Sequence, residues 1–407
     1  MPYLVRKKIT NMKKVISGFI TLMMLGGFFA PVMAQQDDGY QFTMVKKLPC
    51  TPVKNQYRSG TCWSYSGLSF LESELLRMGK GEYDLSEMFI VDRAYDKKAV
   101  KYVRMDGTIN FGPGGEFNDV VNVVANDGIV PNEIYNPSTM GDSLPVHGEM
   151  DAVLKAYVDQ IIKNPNKKLT PVWHEGFDGI LDAYLGKVPK TFQYKGKEYT
   201  PKSFAKSLGL NPDDYVLITS FTHHPFYKPF ILEIPDNWSW GEVYNVPLND
   251  LVDIVNNSVN KGYSVAWAAD VSEKGFSFKN GIAIIPDADV KDMNDTERVK
   301  WEKLTQKEKD EELYSFDKPG KEKVITQEMR QKAFDNYTTT DDHGMHIVGI
   351  AKDQNGTPYF FVKNSWGTHN PYNGFLYVSV PYFEYKTTSI MVNKKAVPES
   401  IAKKLNL

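Results

Sequence analysis

The sequence predicts an α+β fold, with helices in the early part of the chain and strands gathered in the last third. Two patterns carry this reading. From Ser64, the residues Leu68, Leu71, Leu75 and Met78 recur at intervals of three and four, which draws one apolar helical face. Late in the chain, "MHIVGIA", "YFFVKNSW" and "GFLYVSVPYF" are β-branched and aromatic runs parted by turn residues such as "DQNG". Composition agrees: 407 residues at 42% apolar and 24% charged can bury a sizeable core without staples. Only two cysteines occur, which excludes a disulfide framework and a Cys-rich zinc site.

Taken in order, the N-terminus stands apart from that fold. Arg6, Lys7, Lys8, Lys13 and Lys14 precede an uncharged run from Val15 to Phe29, and "APVMAQQ" follows with Val32 and Ala34 where a signal peptidase reads. Residues 1–34 are expected to be a secretory signal cleaved after Ala34, placing the mature chain outside the cell or in the periplasm. The alternative is a retained anchor, the sole membrane contact expected. Cleavage lowers the formal charge from −2 to −7, and so acidic a chain is a poor partner for nucleic acid. Residues 35–407 then read as one domain, with a helical subdomain over 45–135.

Within it, "GKGEY" (79–83) ends the first helix, "GPGGEF" (112–117) is a tight glycine turn, and "FNDVVNVVANDG" is a helix stopped by Gly128. Residues 136–246 carry mixed signals and read as an insertion. "PLNDLVDIVNNSVNKG" is a helix capped by Asn249 or Asp250 and ended by Gly262, feeding the strand "YSVAWAADV" at the start of a β-rich subdomain over 247–400. The charged stretch 291–332 reads as a solvated helical excursion.

Cys62 sits between a glycine-bearing loop and the first helix. A thiol with an ordinary pKa of about 8.5 is mostly protonated at neutral pH, and a helix N-terminus or an imidazolium lowers it. A lone cysteine is usually a small buried hydrophobe. Cys62 is not alone, because "DDHGMHIVGI" and "VKNSWG" follow far downstream. Cysteine, then histidine, then asparagine, within "NQYRSGTCWS", "DHGMHIVGI" and "VKNSWG", resembles the papain-like cysteine peptidases. "GYSVAWAADV", "NGFLYV" and "VNKKAVPES" narrow the resemblance to the bleomycin hydrolase and aminopeptidase C branch, over most of residues 45–400.

The resemblance implies a papain-like fold of two subdomains with large insertions. It also implies peptide hydrolysis through a thioester, with a peptide as the partner and no cofactor or metal. Cys62 is the implied nucleophile and His343 the base, held with Cys62 as a thiolate–imidazolium pair. Asn364 orients His343, and Gln56 stabilises the oxyanion. Trp366 covers the His343–Asn364 contact. Gly114 and Gly115 let the substrate main chain approach, with Gly115 the residue that pairs with it. His343 and His346, three apart in a strand, point to opposite faces; Gly349, six after His343, matches the family pattern and leaves His346 to packing. His223 and His224 read as structural, and Cys50 as a free thiol.

Members of the branch trim N-termini because their own C-terminal tail enters the cleft, and they assemble as closed oligomers. This chain ends at "VPESIAKKLNL", short of that tail. The expectation is therefore divided between an aminopeptidase, possible as a homo-oligomer, and an endopeptidase with an open cleft. An acyltransferase or an inactive peptide-binding homologue is the lesser alternative.

Overall fold

The computed structural model describes residues 39–136, 144–287 and 295–407. The expected export signal, 1–34, lies outside the described residues. Among the described residues no helix is long and apolar enough to cross a membrane.

After the short strand β1 (Phe42–Lys47), three helices follow: α1 (Cys62–Arg77), α2 (Glu87–Arg104) and α3 (Phe117–Asn126). They bury Leu68, Leu71, Leu75, Phe89, Val120 and Val123 in a first core. Residues 144–246 supply α4 (Gly148–Ile162), α5 (Val172–Leu185), the hairpin β2 (Phe192–Tyr194) and β3 (Lys197–Tyr199), α6 (Pro201–Leu208), and the strands β4 (Tyr215–Thr219), β5 (Pro229–Ile231) and β6 (Glu242–Asn245). Leu154, Phe177, Leu181 and Phe204 from this segment enter the same first core.

The second half opens with α7 (Leu248–Asn260), β7 (Val265–Ala269), β8 (Phe276–Ser277) and β9 (Ile282–Ala283). The charged stretch supplies α8 (Asp295–Lys303) and α9 (Gln306–Leu313); α9 buries no residue and is closed by a capping box between Thr305 and Glu308. Then come α10 (Gln327–Asp335), β10 (His343–Asp353), β11 (Pro358–Lys363), β12 (Phe375–Ser379), α11 (Val380–Lys386), β13 (Thr387–Asn393) and α12 (Glu399–Leu405).

One sheet of 11 strands runs in the order β5-β6-β4-β13-β7-β10-β11-β12-β9-β8, with β1 also on β10. β10 is long enough to pair with β7 through His343–Ile347 and with β1 through Gly349–Asp353. Alternation of side chains along the strands separates two cores. In β7, Ala266 and Ala268 face the first core, whereas Val265, Trp267 and Ala269 face a second. β13 divides the same way, Met391 against Ile390 and Val392. The second core is closed by Leu251 and Ile254 of α7, Tyr382 and Phe383 of α11, and Ile401 and Leu405 of α12. Small residues on the α1 side let helix and sheet approach: a Cβ on Gly344 would lie 2.7 Å from Ser66 Oγ.

Three local expectations are corrected. The cap of α7 is Pro247, and Asn249 and Asp250 lie within its first turn. The run "GFLYVSVPYF" is not one strand: it stops at Ser379, whose hydroxyl accepts from Tyr382 N at 3.2 Å and starts α11 with Pro381 in its first turn. "GPGGEF" contains no left-handed glycine; Gly114 and Gly115 answer to close packing instead, and Gly112 has open space around it.

Candidate active site

Cys62 is the first residue of α1, after the N-cap Thr61, whose side chain makes no capping bond. The first-turn N–H groups, that of Cys62 included, have no carbonyl partner within the helix. The next residue, Trp63, donates its Nε1–H to Pro113 O at 2.9 Å and so pins the glycine loop to α1. Lys98, buried in α2, holds the same loop by donating to Gly112 O at 2.8 Å and to Gly114 O. A Cβ on Gly115 would lie 2.9 Å from the Trp63 ring. Gly115 is buried there, and Gly114 is the glycine that lines the cleft.

His343 opens β10 and is buried. Its Nε2 is 2.7 Å from Asn364 Oδ1, which also accepts from Ser365 N at 2.7 Å. The Trp366 ring lies over His343 at 4.5 Å between centroids, itself flanked by Phe276 and Phe278. Gln56 is tied to the same turn: its N donates to Ser365 O at 2.8 Å, and Ser365 Oγ donates to its Oε1 at 2.6 Å. That bond occupies the amide oxygen and leaves the Nε2 donors for the cleft. Gln56, Cys62, Gly114, Asp236, His343 and Trp366 all line one cleft of about 560 Å³.

Burial pushes the Cys62 thiol up to about 12; the Gly344 and Trp63 N–H groups pull it back, and Asp341 and Asp236 raise it further. Burial takes His343 down to about 4, opposed by Asn364 and Asp342. Burial disfavours each charge taken singly. A thiol, an oriented imidazole and two amide donors in a walled cleft are what acyl transfer requires.

His346 points the other way, into α1: its Nδ1 is 2.9 Å from Ser69 Oγ, which also accepts from Lys363 Nζ at 2.8 Å. Cys50 and Cys62 are both free thiols. His223 and His224, read from the sequence as structural, converge on one carboxylate: their Nε2 atoms lie 3.1 and 2.8 Å from the two oxygens of Glu233. That trio, and Asp96 with His174 and Asp178, bring ligand atoms within 4.8 Å of one another and have the chemistry to hold a cation.

The sequence reading missed Ser365, Lys98, Asn110 and Asp236. Ser365 was visible in principle inside "NSW". Lys98 looked like one more helical lysine. Asp236 comes from residues 136–246, where no pattern marks it, and only the tertiary fold brings it to Cys62.

The Peptidase C1-like family matches residues 27–317 and 300–407. Bleomycin hydrolase of Mus musculus is 24% identical over 420 residues, covering 86% of this chain and 82% of that one. Aminopeptidase G of Lactobacillus delbrueckii subsp. lactis is 24% identical over 392 residues with the same coverage. The solved structure of PepW from Lactobacillus rhamnosis HN001 superposes with a TM-score of 0.65 at 18% identity, over 89% of this chain and 84% of that one. The papain-like architecture, the cleft between two cores and these matches lead to one conclusion: the chain belongs to the Peptidase C1-like family and is a cysteine-type peptidase.

Proposed function

We propose that this chain is an exported aminopeptidase of the bleomycin hydrolase type, acting through Cys62. The observation that carries the reading is that Cys62, at the start of α1, shares a cleft with His343, whose Nε2 meets Asn364 Oδ1 at 2.7 Å. As the sulfur attacks the peptide carbonyl, His343 takes the thiol proton. The oxyanion is met by Gln56 Nε2–H and the Cys62 N–H; one such donor is worth about 3 kcal/mol in related sites. His343 then protonates the leaving amine, and the C–N bond breaks to give a thioester. Water attacks the thioester with His343 as base, releasing the acid and restoring the thiol. Relatives named as aminopeptidases support the exopeptidase part, and the basic and apolar pattern of residues 1–34 supports export.

Intact-mass spectrometry during turnover of a slowly hydrolysed aminoacyl ester tests the chemistry. The expected result is an adduct of the acyl mass that vanishes in Cys62→Ala; an adduct that persists there refutes the assignment. Fractionation of the native host tests export, with the mature N-terminus expected near Gln35.

A further inference from the structure

We propose that Asp236 is the carboxylate that receives the α-ammonium of the substrate's first residue, giving the cleft its preference for free N-termini. This rests on the aminopeptidase reading above and supplies it with a recognition group from within this chain.

Asp236 lines the cleft with Cys62, His343 and Gly114. It is not a loose surface acid. The turn that carries it is knotted by Asn237, whose Nδ2 donates to Leu232 O and to Gly241 O, both at 3.0 Å, while its Oδ1 accepts from Gly241 N at 2.8 Å. Trp238 plugs the turn into the first core, and Asn118 Nδ2 donates to Ser239 Oγ at 2.7 Å. Asn110 Nδ2 then fixes one carboxylate oxygen, donating to Oδ1 at 3.0 Å. The other oxygen lies over the backbone of Gly114, where an added Cβ would stand 1.9 Å from Oδ2. The absence of a left-handed φ at Gly114 is thereby explained: room for this carboxylate, not backbone geometry, calls for glycine.

The electrostatics at this wall are unbalanced. No ion pair reaches Asp236 among the described residues. Lys98, which acts on Asp236 through space, already donates to Gly112 O and Gly114 O. Behind Asp236, outside the cleft lining, stands Asp341, whose buried Oδ2 has no hydrogen-bond partner among the described residues and whose carboxyl burial pushes up to about 8. Asp236 and Asp341 both act on the Cys62 sulfur through space, so the acidic wall is close to the reacting atoms. A rigid, half-buried carboxylate with no ion-pair partner among the described residues favours a cation that enters the cleft. In an aminoacyl amide the α-nitrogen is one carbon from the attacked carbonyl. A carbonyl held by Gln56 and the Cys62 N–H leaves that nitrogen within the same cleft. The wall bearing Gly114 and Asp236 is built on the first core, whereas His343, which protonates the leaving amine, opens β10 of the sheet.

The same carboxylate chemistry also suits a lysine or arginine side chain, and the test separates the two sources. Leucyl-aminomethylcoumarin amide, its N-acetyl form, and the N-acetyl lysyl amide are compared on the wild type, Asp236→Asn and Asp236→Glu. The wild type is expected to favour the free amine by about 100-fold in kcat/KM, or about 2.7 kcal/mol at 1.36 kcal/mol per decade. Asp236→Asn should erase most of that preference through KM, and Asp236→Glu should restore part of it. The fall on the N-acetyl leucyl amide should be many-fold smaller than the fall on the free amine. If Asp236→Asn does not fold, Asn110→Ala, at an exposed position, should weaken the preference several-fold in the same direction. A wild type without preference overturns the aminopeptidase reading and this inference together. A wild-type preference that survives in Asp236→Asn overturns the inference alone, as does an equal fall on free and acetylated amides. Loss confined to the lysyl amide assigns Asp236 to a side-chain pocket and also overturns it.

Discussion

Ser365 decides which end of the Gln56 amide faces the substrate. Its hydroxyl donates to Oε1 at 2.6 Å, so the donor end is presented to the cleft. Ser365→Ala is expected to lower kcat/KM by about twofold to tenfold, the worth of one net hydrogen bond, with most of the effect in kcat. Gln56→Ala should cost about 100-fold. A larger loss for Ser365→Ala than for Gln56→Ala, in steady-state assays of folded protein, would contradict this ordering. The two histidines of β10 divide in the same manner. His343→Ala should lower kcat/KM by about 1000-fold or more, as for a group that acts as one unit with its nucleophile. His346→Ala, which removes the Ser69 contact inside the α1 interface, should cost about 1–3 kcal/mol of unfolding free energy while leaving folded enzyme active. That division was legible from strand alternation, because three residues is an odd step. The Ser365 contact was not, since it joins positions 309 apart in sequence.

At the scale of elements, α4 carries a titration that stability should report. His147 caps α4 and is fully buried, and neither ring nitrogen has a partner among the described residues. Burial holds its pKa down at about 4, below the ordinary 6.5. A depressed basic group stabilises the fold above its unfolded pKa, and that stability is lost as pH falls toward the folded value. Between pH 7 and 4.5 this group alone removes about 2.5 kcal/mol, at 1.36 kcal/mol per unit. Urea unfolding at the two pH values should therefore show His147→Leu losing about 2.5 kcal/mol less than the wild type. Equal losses would mean the site is hydrated. Long periodic elements such as α1 and β10 were readable from sequence because burial of one face sets their period. The start of α7 and the break at Ser379 were not. Pro247 took the cap from two residues with better capping chemistry, and an apolar aromatic run fits helix and strand alike until its cap is known.

Across the whole molecule, one sheet divides two cores, and the cleft opens where α1 meets β10. Trp267, in the central strand β7, is fully buried in the second core and donates Nε1–H to Thr387 Oγ1 at 2.8 Å. Trp267→Ala is expected to cost about 3–5 kcal/mol in denaturant unfolding; a cost near zero would mean the second core does not bear on global stability. The family, and the residues proposed to react, could be read before the fold because their motifs are short and local. The wall proposed to receive the substrate's ammonium could not, because it is assembled from Asn110, Gly114 and Asp236, residues that only the folded chain brings together. The most direct test of the central claim is mass spectrometry of a peptide of about 20 residues, sampled through its digestion by wild type and by Cys62→Ala. The account predicts a ladder that shortens from the N-terminus one residue at a time and is absent with Cys62→Ala. Internal fragments from an N-acetylated copy of the peptide, or a ladder undiminished in Cys62→Ala, would contradict it.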